Sequence, residues 1–396
     1  MDYKRLLTQV EKTLELIETE DSPKLTVAKI AQTIATNFRD ELGISGGRIY
    51  EARGDDTFEI VGRFGEANDA ALGIVVPRDY KPIELVLENG IVVMDANDPA
   101  VDPVLEERLG ARRFAAIAAG HHEYIVSFDV APTLSREDIL FSLNLIRYVI
   151  NQRVRAQRFE SLIVEAQRIQ ASILPQRVPQ YKGFDIWGRT VPAEIVSGDF
   201  YDFIPISDSI LGLTIADGSG HGLPAALVVR DIYMGLRMAT DRDFKIVKTL
   251  EKLNHIIHRS RLTTKFVTLF YGEIETGGIL IYSNAGHNPP FLLKRHHFEH
   301  LKNGGPVLGP TPDATYTRGF AKLDPGDVLC LYSDGVVEAH DRHDREFGLD
   351  RLQRIVKSNR ERTAQEIGQE VLARVAKWGR AGEDDRTVVI VKALPA

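Results

Sequence analysis

From Ser135 to Leu174 the sequence contains neither glycine nor proline. No other stretch constrains the fold as strongly, because it predicts one long helix that parts the chain into two dissimilar halves. Within it Phe159, Leu162, Ala166, Ile169 and Ile173 step by three and four, a heptad seam. Arg153, Arg155, Arg158 and Arg168 take the other positions, as solvated residues beside a coiled coil do. A surface helix packed on its own domain is the plainer use of such a stripe. A helix this long has few other places to bury it, which favours a homodimer formed through the linker. Pro175 and Pro179 end the run.

The 396 residues exceed one small core, and two domains are expected. A net charge of −7 argues against a nucleic-acid-binding surface, which is normally basic. No apolar run reaches the roughly 18–20 residues that span a bilayer. The amphipathic start, MDYKRLLTQVEK, has no signal-peptide core, and the one cysteine, Cys330, forms no intrachain disulfide or Cys-based zinc site. A cytoplasmic protein is expected.

Residues 1–150 read as two helices (LLTQVEKTLELIE and LTVAKIAQTIATNFRDEL), then strands and a short helix ending at Gly90, then the strand IVVMDAND and two closing strands. Ser135 and Asp138 open the long helix. Residues 151–178 form the helical linker. Residues 179–396 alternate strand-like runs joined as hairpins with four helical runs, which predicts a mainly antiparallel α+β domain.

In that last segment four acidic stretches share one setting, a β-rich run ending in Asp beside Gly or another carboxylate. They are SGDFYD (Asp199, Asp202), IADGSGHG (Asp217), LYSDGVVEA (Asp334) and EDDRTVVIV (Asp384, Asp385). Each alone reads as a turn. Brought side by side by a sheet, they repel one another unless a cation sits among them. Oxygen-only donors suit hard ions such as Mg²⁺ or Mn²⁺. Gly218, beside Asp217, lets a backbone carbonyl approach the ion without a Cβ in the way.

Two such ions support in-line phosphoryl displacement. The rival phosphate chemistries lack their parts. Six residues after Cys330 stands Val336 and not Arg, and there is no GxxxxGK[ST] loop. By elimination the nucleophile is water activated by metal.

Residues from about 165 to 394 resemble the bacterial PP2C-like serine/threonine phosphatases of the SpoIIE/RsbU type. The ordered motifs AQRIQASILPQRVP, SGDFYDF, ADGSGHGLPAAL, TLFYGEIE, YSNAGHNPPFLL, GGPVLG, LYSDGVVEA, FGLDRL and DDRTVVIV carry the resemblance. It implies a PP2C-like β-sandwich flanked by helices and two Mn²⁺ or Mg²⁺ ions. Asp217 is implied to bridge them, with the Gly218 carbonyl on the first and Asp334 and Asp384 on the second. Asp199 approaches the pair directly or through water, and with Asp217 is the implied catalytic residue. Asp385 is implied to support the ligands from behind, and Asp202 to be structural or to do the same. The implied substrate is a phosphorylated STAS-domain anti-anti-sigma protein. Two departures, Ser197 for a more frequent glycine and RHDREFG without a glycine before its Glu, touch no implied ligand.

Through VVPRDYKPIELVLENGIVVMDANDP and the closing helix from Ser135, residues 1–150 resemble a GAF domain more loosely, with a PAS-like sensor as the alternative and its ligand or partner unidentified. His221 has a metal-side or a loop-capping role open to it, and His287 reads as structural. HHFEH (His296, His297, His300) reads as an exposed hairpin and Cys330 as a core thiol. The expected whole is a regulated phosphatase, against a catalytically silent scaffold as the other reading.

Overall fold

A computed structural model describes residues 22–395 except 38, 40–42, 55, 68, 96, 111–112, 132–134, 221, 241–244, 261–265 and 381. The first expected helix and His221 lie outside the described residues. Contacts divide the chain into Met1–Leu162 and Ile163–Ala396, a division inside the stretch read as linker.

In the first unit β1 (Ile44–Arg53), β2 (Thr57–Gly65), β3 (Val75–Pro77), β4 (Ile91–Asp95), β5 (Arg113–Ala119) and β6 (Tyr124–Val130) form one antiparallel sheet ordered β3-β2-β1-β6-β5-β4. Alternation along each strand feeds two cores. On one face Ile49, Ile117, Val126 and Phe128 pack with Val27, Ile30 and Ile34 of the helix Pro23–Asn37 and with Ile139, Leu143, Ile146, Ile150 and Val154 of the helix Arg136–Ile173. On the other, Phe58, Ile60 and Ile125 meet Ile83 and Val86 of the helix Lys81–Asn89. Gly90 ends that helix in the left-handed conformation, φ 77°, its N–H donating to the Val86 carbonyl at 2.8 Å. The helix Pro103–Leu109, capped by Asp102, was not anticipated, since seven residues are too few to show a period.

The helix Arg136–Ile173 is continuous over 38 residues, as the absence of Gly and Pro predicts. Its buried apolar stripe runs out at Val154; of the five seam positions read from the sequence, Ala166 is half-buried and Ile173 packs against the core of the second unit. The other three, Phe159, Leu162 and Ile169, are 66%, 62% and 58% exposed. No helix among the described residues is long and apolar enough to cross a membrane.

In the second unit two sheets face each other. One contains β8 (Asp199–Ser207), β9 (Ile210–Gly218), β10 (Val267–Glu275), β11 (Ile279–Ala285) and β14 (Gly304–Gly305), with β15 (Gly319–Lys322) also on β11. The other is ordered β13 (Phe298–His300), β12 (Phe291–Leu293), β16 (Val328–Tyr332), β17 (Arg386–Ala393) and β7 (Phe184–Val191). Tyr201, Phe203, Leu213, Ile215 and Phe270 from the first interdigitate with Ile186, Leu292, Leu329, Leu331, Val389 and Val391 from the second. The outer face of the first sheet is covered by the helices Leu223–Thr240 and Ile246–Arg259. The outer face of the second is covered by Leu349–Ser358 and Ala364–Trp378. This is the expected α+β sandwich flanked by helices.

Candidate metal centre

Asp199 opens β8 and Asp217 lies one residue before the end of β9. The antiparallel register places the two directly opposite each other, with Thr268 of β10 opposite Asp217 on its other side. In the second sheet β16 ends at Tyr332 and Asp334 follows, while Asp384 and Asp385 immediately precede β17, the neighbour of β16. Antiparallel neighbours bring the end of one strand beside the start of the next. The four acidic stretches therefore do not all end strands, as the sequence suggested. Two strand ends and two strand starts share one rim.

Hydroxyls join the sheets across that rim. Thr387 Oγ1 of β17 donates to Asp199 Oδ2 at 2.6 Å, and the Thr387 N–H donates to Ser333 Oγ at 2.9 Å. Ser333 Oγ donates to the Asp385 carbonyl at 3.3 Å. Asp385 turns away from the rim and accepts from the backbone N–H groups of Ala193, 2.8 Å, and Gly198, 2.6 Å. The Gly198 carbonyl accepts from Gly218 N–H at 3.0 Å, so Asp385 supports the backbone on which Asp199 and Gly218 sit. Gly335 abuts the same strand start; a Cβ there would lie 2.1 Å from the Asp385 carbonyl oxygen, so only glycine fits. The sequence did not single out Thr387 or Ser333: a hydroxyl at the edge of an apolar run, as in LCLYS and RTVVIV, does not name its partner.

The electrostatics follow from this gathering. Burial, then the negative charges of Asp334, Asp384, Asp385 and Glu338, push the Asp217 carboxyl up to about 7. Burial, then the charge of Asp217, holds Asp199 well above the usual carboxylate range, against the hydrogen bonds from Thr387 and Ser333. Asp334 is raised by burial and by Glu338. Among the described residues no three Asp, Glu, His or Cys side chains close into a ready metal cage. The donor set nonetheless fits a hard divalent cation, since it is oxygen only and ionises at a cost that positive charge removes.

A family model described as Stage II sporulation protein E (SpoIIE) matches residues 207–394. Phosphoserine phosphatase RsbU of Bacillus subtilis is 30% identical over 273 residues, which cover 65% of this chain and 80% of RsbU. The chain belongs to the SpoIIE/RsbU family of PP2C-like phosphatases. Protein IcfG of Synechocystis is 30% identical over 278 residues, 62% of this chain but only 44% of IcfG, so the chain spans less than half of that relative. In fold the chain is similar to the SiaA-PP2C domain of Pseudomonas aeruginosa, with a TM-score of 0.53 and 20% identity over 60% of this chain and 98% of that one. The RsbU and RsbW domains of Rv1364c from Mycobacterium tuberculosis give 0.50 and 24%, over 57% and 64%.

The SpoIIE match begins beyond Asp199, whose placement therefore rests on the geometry above. Ser197, the departure from this family's usual glycine, accepts the Asp199 N–H on its Oγ at 3.0 Å. Asp202, three residues along β8 from Asp199, points to the opposite face and pairs with Arg237 of the helix Leu223–Thr240 at 2.8 Å. It takes no part in the acidic rim. His287 is buried with its Nδ1 2.8 Å from Thr268 Oγ1. His296 and His297 lie exposed in the β12–β13 turn as expected, while His300 packs against Phe291. Cys330 is a core thiol.

Proposed function

We propose that this chain is a metal-dependent phosphatase that removes phosphate from phosphoserine or phosphothreonine on a STAS-type anti-anti-sigma regulator in the cytoplasm. The observation that carries the reading is the pairing of Asp199 with Asp217, within reach of the charges of Asp334 and Asp384 from the other sheet. Asp217 and the Gly218 carbonyl, with Asp199, Asp334 and Asp384, would hold two Mn²⁺ or Mg²⁺ ions. When bound, such a pair activates the attacking water and neutralises the phosphate. The chain's own residues supply the frame. Thr387 and Ser333 fix Asp199, and Asp385 fixes Gly198. RsbU, by name a phosphoserine phosphatase, supports the substrate class.

Residues 1–150 act as a GAF-like sensor, a reading supported by one antiparallel sheet with helices on both faces. Residues 151–178 are the linker, residues 179–396 the phosphatase domain. The exposed stripe Phe159, Leu162 and Ile169 forms the homodimer seam. The helix Leu223–Thr240 follows the Asp217–Gly218 loop and is tied to β8 by Arg237 and Asp202, so a shift in it moves a metal ligand.

The test is phosphate release from a phosphorylated STAS protein with Mn²⁺, for the wild type and Asp217→Asn. Turnover confined to the wild type supports the reading. Partner binding without turnover in either protein makes the chain a silent scaffold.

A further inference from the structure

In the first unit the Gly120–His121–His122 turn between β5 and β6, the end of the helix Lys81–Asn89 and one face of the helix Arg136–Ile173 enclose an open cavity of about 580 Å³. We propose that it binds a small phosphorylated molecule of nucleotide size. The inference concerns a separate site and does not depend on the phosphatase reading.

The helix presents Arg147, Tyr148, Asn151 and Arg155 to the cavity, at spacings of one, three and four that share one helical face. Asn151 ties the helix to the opposite wall. Its Oδ1 accepts the Gly120 N–H at 2.9 Å, and its Nδ2 reaches the Ala118 carbonyl at 3.4 Å, so the hairpin is pinned to the helix. At the pinned turn Gly120, His121 and His122 all have positive φ, 62°, 53° and 68°. Two successive non-glycine residues in that region are uncommon, and such backbone gathers where a ligand is clamped. Both imidazoles stand at the cavity wall.

Arg147 packs flat against Gly90, where a Cβ would come within 2.2–2.5 Å of its guanidinium. Glycine at the helix end thus makes room for the cation. Among the described residues neither Arg147 nor Arg155 has a carboxylate partner. One carboxylate, Glu88, faces the cavity against two guanidiniums and two imidazoles.

The chemistry of the walls selects the ligand. Guanidinium forks bind phosphate oxygens in pairs, and imidazole adds donors. Arg147 and Arg155 are two helical turns apart, about 12 Å along the axis, which suits a charged end joined to a longer body. The exposed ring of Tyr148 lies between them as a stacking surface. The volume lies in the range of small-molecule sites, roughly 300–1,000 Å³.

The experiment is calorimetric titration of the full chain in EDTA with inorganic pyrophosphate, 5′-AMP and citrate. Pyrophosphate and AMP are expected to bind with submillimolar Kd, and Arg155→Glu to weaken both at least tenfold while its thermal melt is unchanged. Arg147→Met serves as the second variant with the same expectation. Asp217→Asn should bind both probes as the wild type does. The proposal is overturned by no heat at about 5 mM of either phosphate probe, or by unchanged binding in Arg155→Glu. It is equally overturned by loss of binding in Asp217→Asn, which would put the anion at the acidic rim, or by citrate binding as tightly as the phosphates.

Discussion

The side-chain amide of Gln170 brackets the backbone of Ser197. Its Oε1 accepts the Ser197 N–H at 2.9 Å and its Nε2 donates to the Ser197 carbonyl, with both residues buried. Ser197 is followed by Gly198, held by Asp385, and then by Asp199. One linker-helix side chain therefore grips the backbone immediately before a candidate metal ligand.

Replacing Gln170 with Ala leaves a buried N–H and a buried C=O without partners, at about 1–3 kcal/mol each. The expected outcome is a loss of about 2–6 kcal/mol in urea unfolding, with a higher Mn²⁺ concentration needed for half-maximal turnover. An unchanged Mn²⁺ requirement would show that the grip does not reach Asp199.

Asp385 uses both carboxylate oxygens to accept from Ala193 and Gly198. In Asp385→Asn one of those N–H groups must face the amide NH₂. The expected cost is about 1–3 kcal/mol, accompanied by slower turnover. Equal stability of the two proteins in chemical denaturation would refute this account of the loop.

Without metal, Asp217 titrates at about 7 in the fold against a usual value of 3.8. The folded state holds its proton more tightly than the unfolded chain, so the associated stability is full below 3.8 and is lost as pH rises through 7. Asp217→Asn removes that loss. In EDTA the variant should gain on the wild type across this window, by roughly 2–4 kcal/mol at pH 8, and should lose Mn²⁺-dependent turnover by at least about a hundredfold. Parallel pH–stability curves would contradict the charge crowding.

His287 shows the opposite sign. Burial lowers it to about 4 from 6.5, so the unfolded chain takes up its proton first. Its contribution is full above 6.5 and is lost as pH falls through 4, roughly 2–4 kcal/mol in all. His287→Gln should flatten the acid limb of the stability curve between those values, which thermal melts at stepped pH measure.

If the stripe beyond Val154 is the dimer seam, Leu162→Asp with Ile169→Asp should yield a monomer in sedimentation and leave the melting of the second unit unchanged. A wild type that is monomeric at all accessible concentrations would dispose of the seam.

Much of the fold is legible in the sequence. The long helix is visible in the lack of Gly and Pro, the Gly90 stop in its residue type, and the sandwich strands in their apolar runs. The short helix at Pro103–Leu109 was not, since it is shorter than two full periods. The candidate acidic residues stand out in the sequence because four stretches place an Asp beside glycine or another carboxylate at the edge of a β-rich run. Thr387, Ser333 and Gln170 do not, since a lone hydroxyl or amide carries no mark of its partner.

Local order along the chain determined the elements and the identity of the charged residues, because periodicity and turn chemistry act over a few neighbours. Only the tertiary structure decided that Asp199 faces Asp217, that Thr387 reaches across from the other sheet, and that Asp385 looks inward to backbone while Asp384 stays with the rim. These relations join residues up to 192 apart. They depend on strand register and on the packing of two sheets, which no local pattern records.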